Sequence, residues 1–217
     1  LMAFFNVHLP FSASTITKGN HNRLATGVRQ QNEAFCNILE QFLHRRALHH
    51  LFVLGDLNYR VMNLGNVIDA AGLCAAMSND VFVCRKIYNE CDELKQSILS
   101  KHLPLQFLEG VNNMGPEFMP TAKMQHCREP GSTVPGSYKF GRHNHRNPSW
   151  CDRILYLPCS LQQTPTISQL LSERSTEKTE ISNNQPAVCT YYNRFESGET
   201  MAHSDHSAVC AYYTIQR

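Results

Sequence analysis

The chain has 217 residues, 42% apolar and 18% charged, with a formal net charge of +2. That length and composition suit one domain able to bury a substantial core, and they exclude a collagen-like, coiled-coil or wholly disordered chain. The longest apolar runs, LMAFF, LFVL and AVCAYY, fall far short of the roughly 20 residues a membrane-spanning helix needs, and a charge so near neutrality makes any attraction to phosphate local rather than global. Nine cysteines, an odd number with no CxxC pair, indicate neither a disulfide framework nor a zinc ribbon and favour a reducing, cytoplasmic compartment. LMAFF lacks a basic flank and is too short for a signal sequence, and the chain opens on Leu1, so it reads as starting inside a longer one.

In chain order, LMAFFNVHL reads as a short strand that gives way at Pro10 to a polar loop reaching Gly27. Val28, Phe35, Ile38, Leu39, Phe42 and Leu43 keep helical spacing, predicting an amphipathic helix from Val28 to Leu48 that leads into the strand LFVLG. A further helical region covers NVIDAAGLCAAM and then DELKQSILSKHL, with Leu94, Ile98 and Leu99 on one face. After Pro104 the chain turns rich in Gly, Pro, Asn and His as far as Trp150, which predicts surface loops. Strands resume at CDRILYL and return at AVCTYYNRF and SAVCAYYTI, while residues 160–186 read as an exposed polar insertion. Helices alternating with strands imply a layered α/β domain.

Four stretches share one format, an apolar strand meeting a polar cluster: FFNVHL, FVLGDLN, PSWCDRIL and HSDHSAV. Taken singly, Asp or Asn after a strand is most often a turn former bonding its own backbone. Together they supply Asn6, His8, Asp56, Asn58, Asp152, Asp205 and His206. Carboxylates can hold a hard cation or deprotonate water, amides can orient phosphate oxygens, and a His fixed by an Asp can stabilise charge on a phosphate oxygen. This is the set that metal-assisted phosphate hydrolysis requires.

The same stretches, in this order, resemble the inositol polyphosphate 5-phosphatases, members of the magnesium-dependent endonuclease/exonuclease/phosphatase superfamily. Gly55, Asp56, Asn58 and Arg60 match the family's GDxNxR, and Arg146, Pro148, Trp150, Cys151, Asp152, Arg153, Ile154 and Leu155 match RxPxWCDRIL. FFNVHL is similar to the family's NSHL strand with Val7 in place of a small polar residue, and SDHSAV to SDHxPV with Ala208 in place of proline. QNEAF resembles RNxDF with Gln31 for arginine; FMPTAK resembles FxPTYK with Ala122 for tyrosine, a role for which Tyr138 of the downstream SYKF is a substitute.

The resemblance implies a four-layered α/β sandwich of two packed mixed sheets flanked by helices, occupying residues 1–217 as one catalytic domain short of its N-terminal strands. It implies Mg2+ as cofactor and phosphoinositide lipids or soluble inositol phosphates as substrates, handled at the cytosolic face of membranes, with no nucleic acid and no obligate protein partner. Asp56 would take the proton of the attacking water and Asn58 would hold water and phosphate. Asp152 would orient His206, Asp205 would sit by the metal or its waters, and Asn6 and His8 would line the phosphate site. Arg60 and Arg153 are expected at the substrate, as are Lys123, Lys139 and Arg142 from the basic segment between Lys123 and Arg153.

The family's main magnesium-binding glutamate lies on a strand before the NSHL element, and only five residues precede Asn6 here. Glu33 and Glu40 fall on the predicted helix, where a solvated face accounts for them. The chain is thus read either as the C-terminal two thirds of an enzyme, inactive alone, or as part of a protein that lost its metal site. The rival activities are a nuclease or deadenylase of the same superfamily, which WCDR argues against, and a catalytically dead phosphoinositide-binding scaffold. Cys151 invites a cysteine-phosphatase reading, but no CxxxxxR follows it, so a packed thiol is expected.

Overall fold

A computed structural model describes residues 1–9, 27–43, 48–62, 77, 80–104, 106–122, 147–159, 187–195 and 204–215. Strand β1 (Met2–Asn6) runs parallel to β2 (His50–Asp56), β2 pairs antiparallel with β4 (Asp152–Pro158), and the two-residue β3 (Leu108–Glu109) closes that sheet on the far side of β4. β5 (Ala187–Arg194) and β6 (Val209–Ile215) form a second, antiparallel sheet with a bulge between Cys189 and Tyr191. The helices are α1 (Gly27–Leu43), α2 (Val81–Cys91) and α3 (Glu93–Leu99), with a short 3-10 turn at Val111–Asn113. None of the described helices is long and apolar enough to cross a membrane.

Alternation along β2 and β4 sorts their side chains onto two faces. Leu51, Val53, Leu155 and Leu157 pack with Val28, Phe35, Leu39 and Leu43 of α1 and Leu94 and Ile98 of α3. Full burial of each such side chain stabilises by roughly 1.5–3 kcal/mol, and Phe35→Ala should cost about 3–5 kcal/mol. The opposite face carries Phe52 and Tyr156 against Ala187, with Tyr213 set edge-on to Phe52 at 4.9 Å. Among the described residues, α1 and α3, the first sheet and the second sheet are therefore successive layers of an α/β sandwich, while α2 packs through Cys84, Ile87 and Tyr88 against Trp150, Cys189 and Tyr192. A one-residue slip between β2 and β4 would send both apolar rows to the wrong faces, so the core pins the register that sets Asp56 opposite Asp152.

Several boundaries differ from the sequence-based expectation. α1 runs from Gly27 to Leu43, one residue earlier at its start and five earlier at its end than the expected Val28 to Leu48. α2 lies in a stretch for which no helix is predicted; Asp80 caps it, its carboxylate accepting from Phe82 N–H at 2.7 Å. Leu99 does not share the buried face of Leu94 and Ile98: it is 54% exposed, because positions 94 and 98 are one turn apart and 99 lies 100° further round. Most of NVIDAAGLCAAM, the basic segment as far as Arg146 and the expected insertion at 160–186 lie outside the described residues.

Candidate active site

The β2–β4 register places Asp56 directly opposite Asp152. Like charges across a strand pair repel. Burial first, and Asp152 second, push the Asp56 carboxyl above its ordinary range, while His206, the Asn58 N–H and His8 oppose the shift. The ladder between β1 and β2 continues past Asn6, with Val7 N–H donating to Leu54 O and Leu9 N–H to Asp56 O, both at 2.9 Å. By strand alternation Asn6 and His8 fall on the Asp56 face, and His8 Nε2 lies 3.5 Å from Asp56 Oδ2.

His206 arrives from the loop before β6. Its Nδ1 shares a hydrogen bond of 2.8 Å with Asp152 Oδ2 and lies 4.0 Å from Asp56 Oδ2, and its Nε2 lies 3.9 Å from Asp205 Oδ1. The hydrogen bond to Asp152 raises the imidazole pKa against the opposing effect of burial. The result is an imidazole biased toward its charged form, facing a carboxyl biased toward proton uptake.

Gly55 lets this end of the sheet close. Its φ is +128°, and a Cβ there would stand 2.1 Å from Val7 O and 2.8 Å from Asn6 Oδ1. Asn58 follows with φ 55°, its N–H bonded to Asp56 Oδ1 at 2.9 Å, so the turn-forming role and the reactive role of GDLN coexist. Cys151 is fully buried, and burial pushes its thiol up to about 12, which rules out a thiolate nucleophile here.

Three expected contacts are corrected. Asn58 is only 5% exposed, its amide nitrogen donating to Leu9 O at 2.8 Å and its oxygen accepting from Arg60 Nη2 at 2.7 Å. It holds the strand ends together instead of presenting an open phosphate ligand. Arg60, 6% exposed, supports Asn58 from behind. Arg153 is 1% exposed and points to the helix side, where Asp92 and Glu109 bind it at 2.9 and 2.6 Å. Neither arginine is available to substrate. Lys123, Tyr138, Lys139 and Arg142 lie outside the described residues.

Sequence reasoning missed the supports behind the site. Gln31 Nε2 donates to Leu57 O, and Tyr59 O–H donates to Asn32 Oδ1 at 2.7 Å. α1 thereby grips the loop after β2, a role for QNEAF that two buried polar residues on an otherwise apolar face could have signalled.

Asp56, Asp152 and His206 each offer one ligand atom, all within 4.8 Å of one another. Two opposed carboxylates, one reluctant to ionise, are a donor set that a divalent cation would relieve, and oxygen donors suit Mg2+. Asp205 stands beside this group without belonging to it. Glu33 pairs with Arg29 on the exposed side of α1 at 2.9 Å, and the buried Glu93 and Glu109 bind the Arg60 N–H and Arg153, so none of these three joins the triad.

A family model described as endonuclease/exonuclease/phosphatase family 2 matches residues 1–212. No curated protein sequence matches the chain significantly. Among solved structures, the inositol polyphosphate 5-phosphatase domain of SpSynaptojanin, in complex with inositol (1,4)-bisphosphate and calcium ion, superposes with a TM-score of 0.58 at 18% identity. The match covers 98% of this chain and 46% of that one, so the chain spans about half the length of that domain and shares its fold. A ferrous NO complex of a Cimex nitrophorin has a TM-score of 0.47 at 19% identity, covering 82% of this chain and 45% of its own.

Proposed function

The chain belongs to the endonuclease/exonuclease/phosphatase family, and from that membership we propose that it contributes the active site of a Mg2+-dependent phosphatase removing the 5-phosphate of inositol phosphates. The observation that carries the reading is the Asp152–His206 pair at 2.8 Å, held opposite Asp56. A phosphate lodged over this face would meet a proton acceptor on one strand and an imidazolium on the other.

Asp56, its affinity for a proton raised by burial and by Asp152, takes a proton from the attacking water. His206, kept charged and oriented by Asp152, directs its ring toward a phosphate oxygen where negative charge accumulates. Asn6 and His8 line the same face from β1. Asp56 and Asp152 would hold the Mg2+, with Asp205 adjacent, and the bound cation would neutralise charge on the phosphate. The wider basic segment with Lys123, Lys139 and Arg142 is our candidate for the other ring phosphates.

Phosphate release decides the matter when the protein is given 5-phosphorylated phosphoinositide vesicles, soluble inositol polyphosphates and an oligonucleotide, with Mg2+ and with chelator. We expect Mg2+-dependent release confined to the 5-position, and the vesicle and soluble arms separate action at the cytosolic membrane face from action in solution. Cleavage of the oligonucleotide alone would make the protein a nuclease. Lipid binding by folded protein without release would make it a phosphoinositide-binding scaffold.

A further inference from the structure

Thr121 bears no charge and has no exposed surface, yet both halves of the His–Asp pair hang from it. Its hydroxyl oxygen accepts from the N–H groups of Cys151 and Asp152, each at 3.2 Å. Its carbonyl accepts from Ser207 N–H at 2.9 Å, and its own N–H donates to Ser149 O at 3.1 Å. The neighbouring Ala122 bridges to Ser149 and to His206, with Ser149 N–H on Ala122 O at 2.8 Å. One residue pair therefore fastens the segment that begins β4 and the segment that precedes β6, whose reactive side chains are 54 positions apart in the chain.

Asp152 is the first residue of β4, where the ladder to β2 ends. A strand end is free to swing unless its backbone groups find partners, and the angle at which Asp152 leaves the backbone sets where its Oδ2 lies. Catalytic groups tolerate displacements of only about 0.5 Å. We propose that Thr121 is a positioning residue: by accepting the Asp152 N–H through its hydroxyl and the Ser207 N–H through its carbonyl, it fixes the separation of Asp152 and His206. The effect on turnover rests on the hydrolase reading given above; the fastening of the pair does not.

The hydroxyl is the removable half. Thr121→Val keeps the shape and deletes the acceptor, leaving two buried N–H groups without a partner, whereas Thr121→Ser retains it. The readout is the downfield proton resonance of the imidazole N–H shared with Asp152, recorded on metal-free protein and assigned by its disappearance in His206→Asn. In Thr121→Val this resonance should be lost or shifted while the far-UV circular dichroism stays as in the parent, and Thr121→Ser should keep it. Where the parent is active, kcat of Thr121→Val should fall roughly ten- to a hundredfold with KM unchanged, the size expected of a small misplacement. An unmoved resonance in folded Thr121→Val overturns the proposal. Should the valine variant not fold, Thr121→Ser decides: a retained resonance supports the fastening and a lost one sinks it. A parent without phosphatase activity would defeat the hydrolase reading and leave the resonance test intact.

Discussion

The guanidinium of Arg153 lies side-on to the carboxylate of Glu109, Nε to Oε1 and Nη2 to Oε2 both at 2.6 Å, and its other edge reaches Asp92 at 2.9 and 3.2 Å. Tyr88 and Tyr192 add their hydroxyls to the same glutamate at 3.1 and 2.8 Å. Asp92 also caps α3 by accepting Lys95 N–H at 3.0 Å. One buried ion cluster thus joins β3, β4, β5 and the start of α3.

Breaking this cluster on one side should be costly. Arg153→Met would leave Asp92 and Glu109 buried without a counter-charge, a loss of about 3–5 kcal/mol. Arg153→Lys should rescue little, because an ammonium cannot make two side-on pairs. Urea unfolding checks both, and adding Asp92→Asn and Glu109→Gln to Arg153→Met should restore much of the loss. An Arg153→Met protein as stable as the parent would show that the cluster contributes nothing.

Asp56→Asn should separate activity from stability. Removing the proton acceptor lowers kcat by about 10² to 10⁴. The same change removes a carboxylate repelled by Asp152 across the strands, so thermal stability should hold or rise. Paired kinetics and calorimetry measure the two effects, and near-parent turnover would exclude Asp56 as the base.

Stability should fall as pH rises above the ordinary histidine value of 6.5. The folded imidazole of His206 has a raised pKa, so in that window the folded state holds more proton than the unfolded chain. The contribution is complete below the unfolded value and lost as pH climbs through the folded one. Melting temperatures followed from pH 6 upward should decline, to order of magnitude as a single linked proton dictates, and His206→Asn should reduce that slope.

Gly55→Ala should destabilise through the backbone. A residue with a side chain at φ +128° is strained by about 1–3 kcal/mol, and the added methyl would also meet Val7 O at 2.1 Å. Chemical denaturation measures the cost. β1 must move to relieve the clash, carrying Asn6 and His8 with it, so turnover should drop as well.

Much of this arrangement was legible in the sequence. β2 and β4 announce themselves as apolar runs, α1 by helical spacing, and Asp56, Asp152 and His206 by their places beside strands. α2 escaped because VFVC opens with β-branched and aromatic residues that suit a strand equally well, and its cap, not its pattern, fixes it as a helix. β3 has two residues, too few to show a period. Arg60 and Arg153 were misassigned because an arginine in a motif looks like a phosphate ligand, and the acids that neutralise Arg153 lie 61 and 44 positions away. Thr121 stands in FMPTAK, but its role does not show there, since its partners are main-chain groups that every residue possesses.

Asp152 and Arg153 are adjacent, yet one faces His206 and Asp56 and the other the core. Variants at these neighbouring positions therefore report on different properties. On the proposed function, a relative that replaces only the aspartate would keep its scaffold and lose its chemistry, becoming a silent binder of whatever the site still recognises. One that replaces only the arginine should lose stability unless positions 92 and 109 change with it. The dipeptide thus offers a way to tell a retired enzyme from a damaged one by reading two letters.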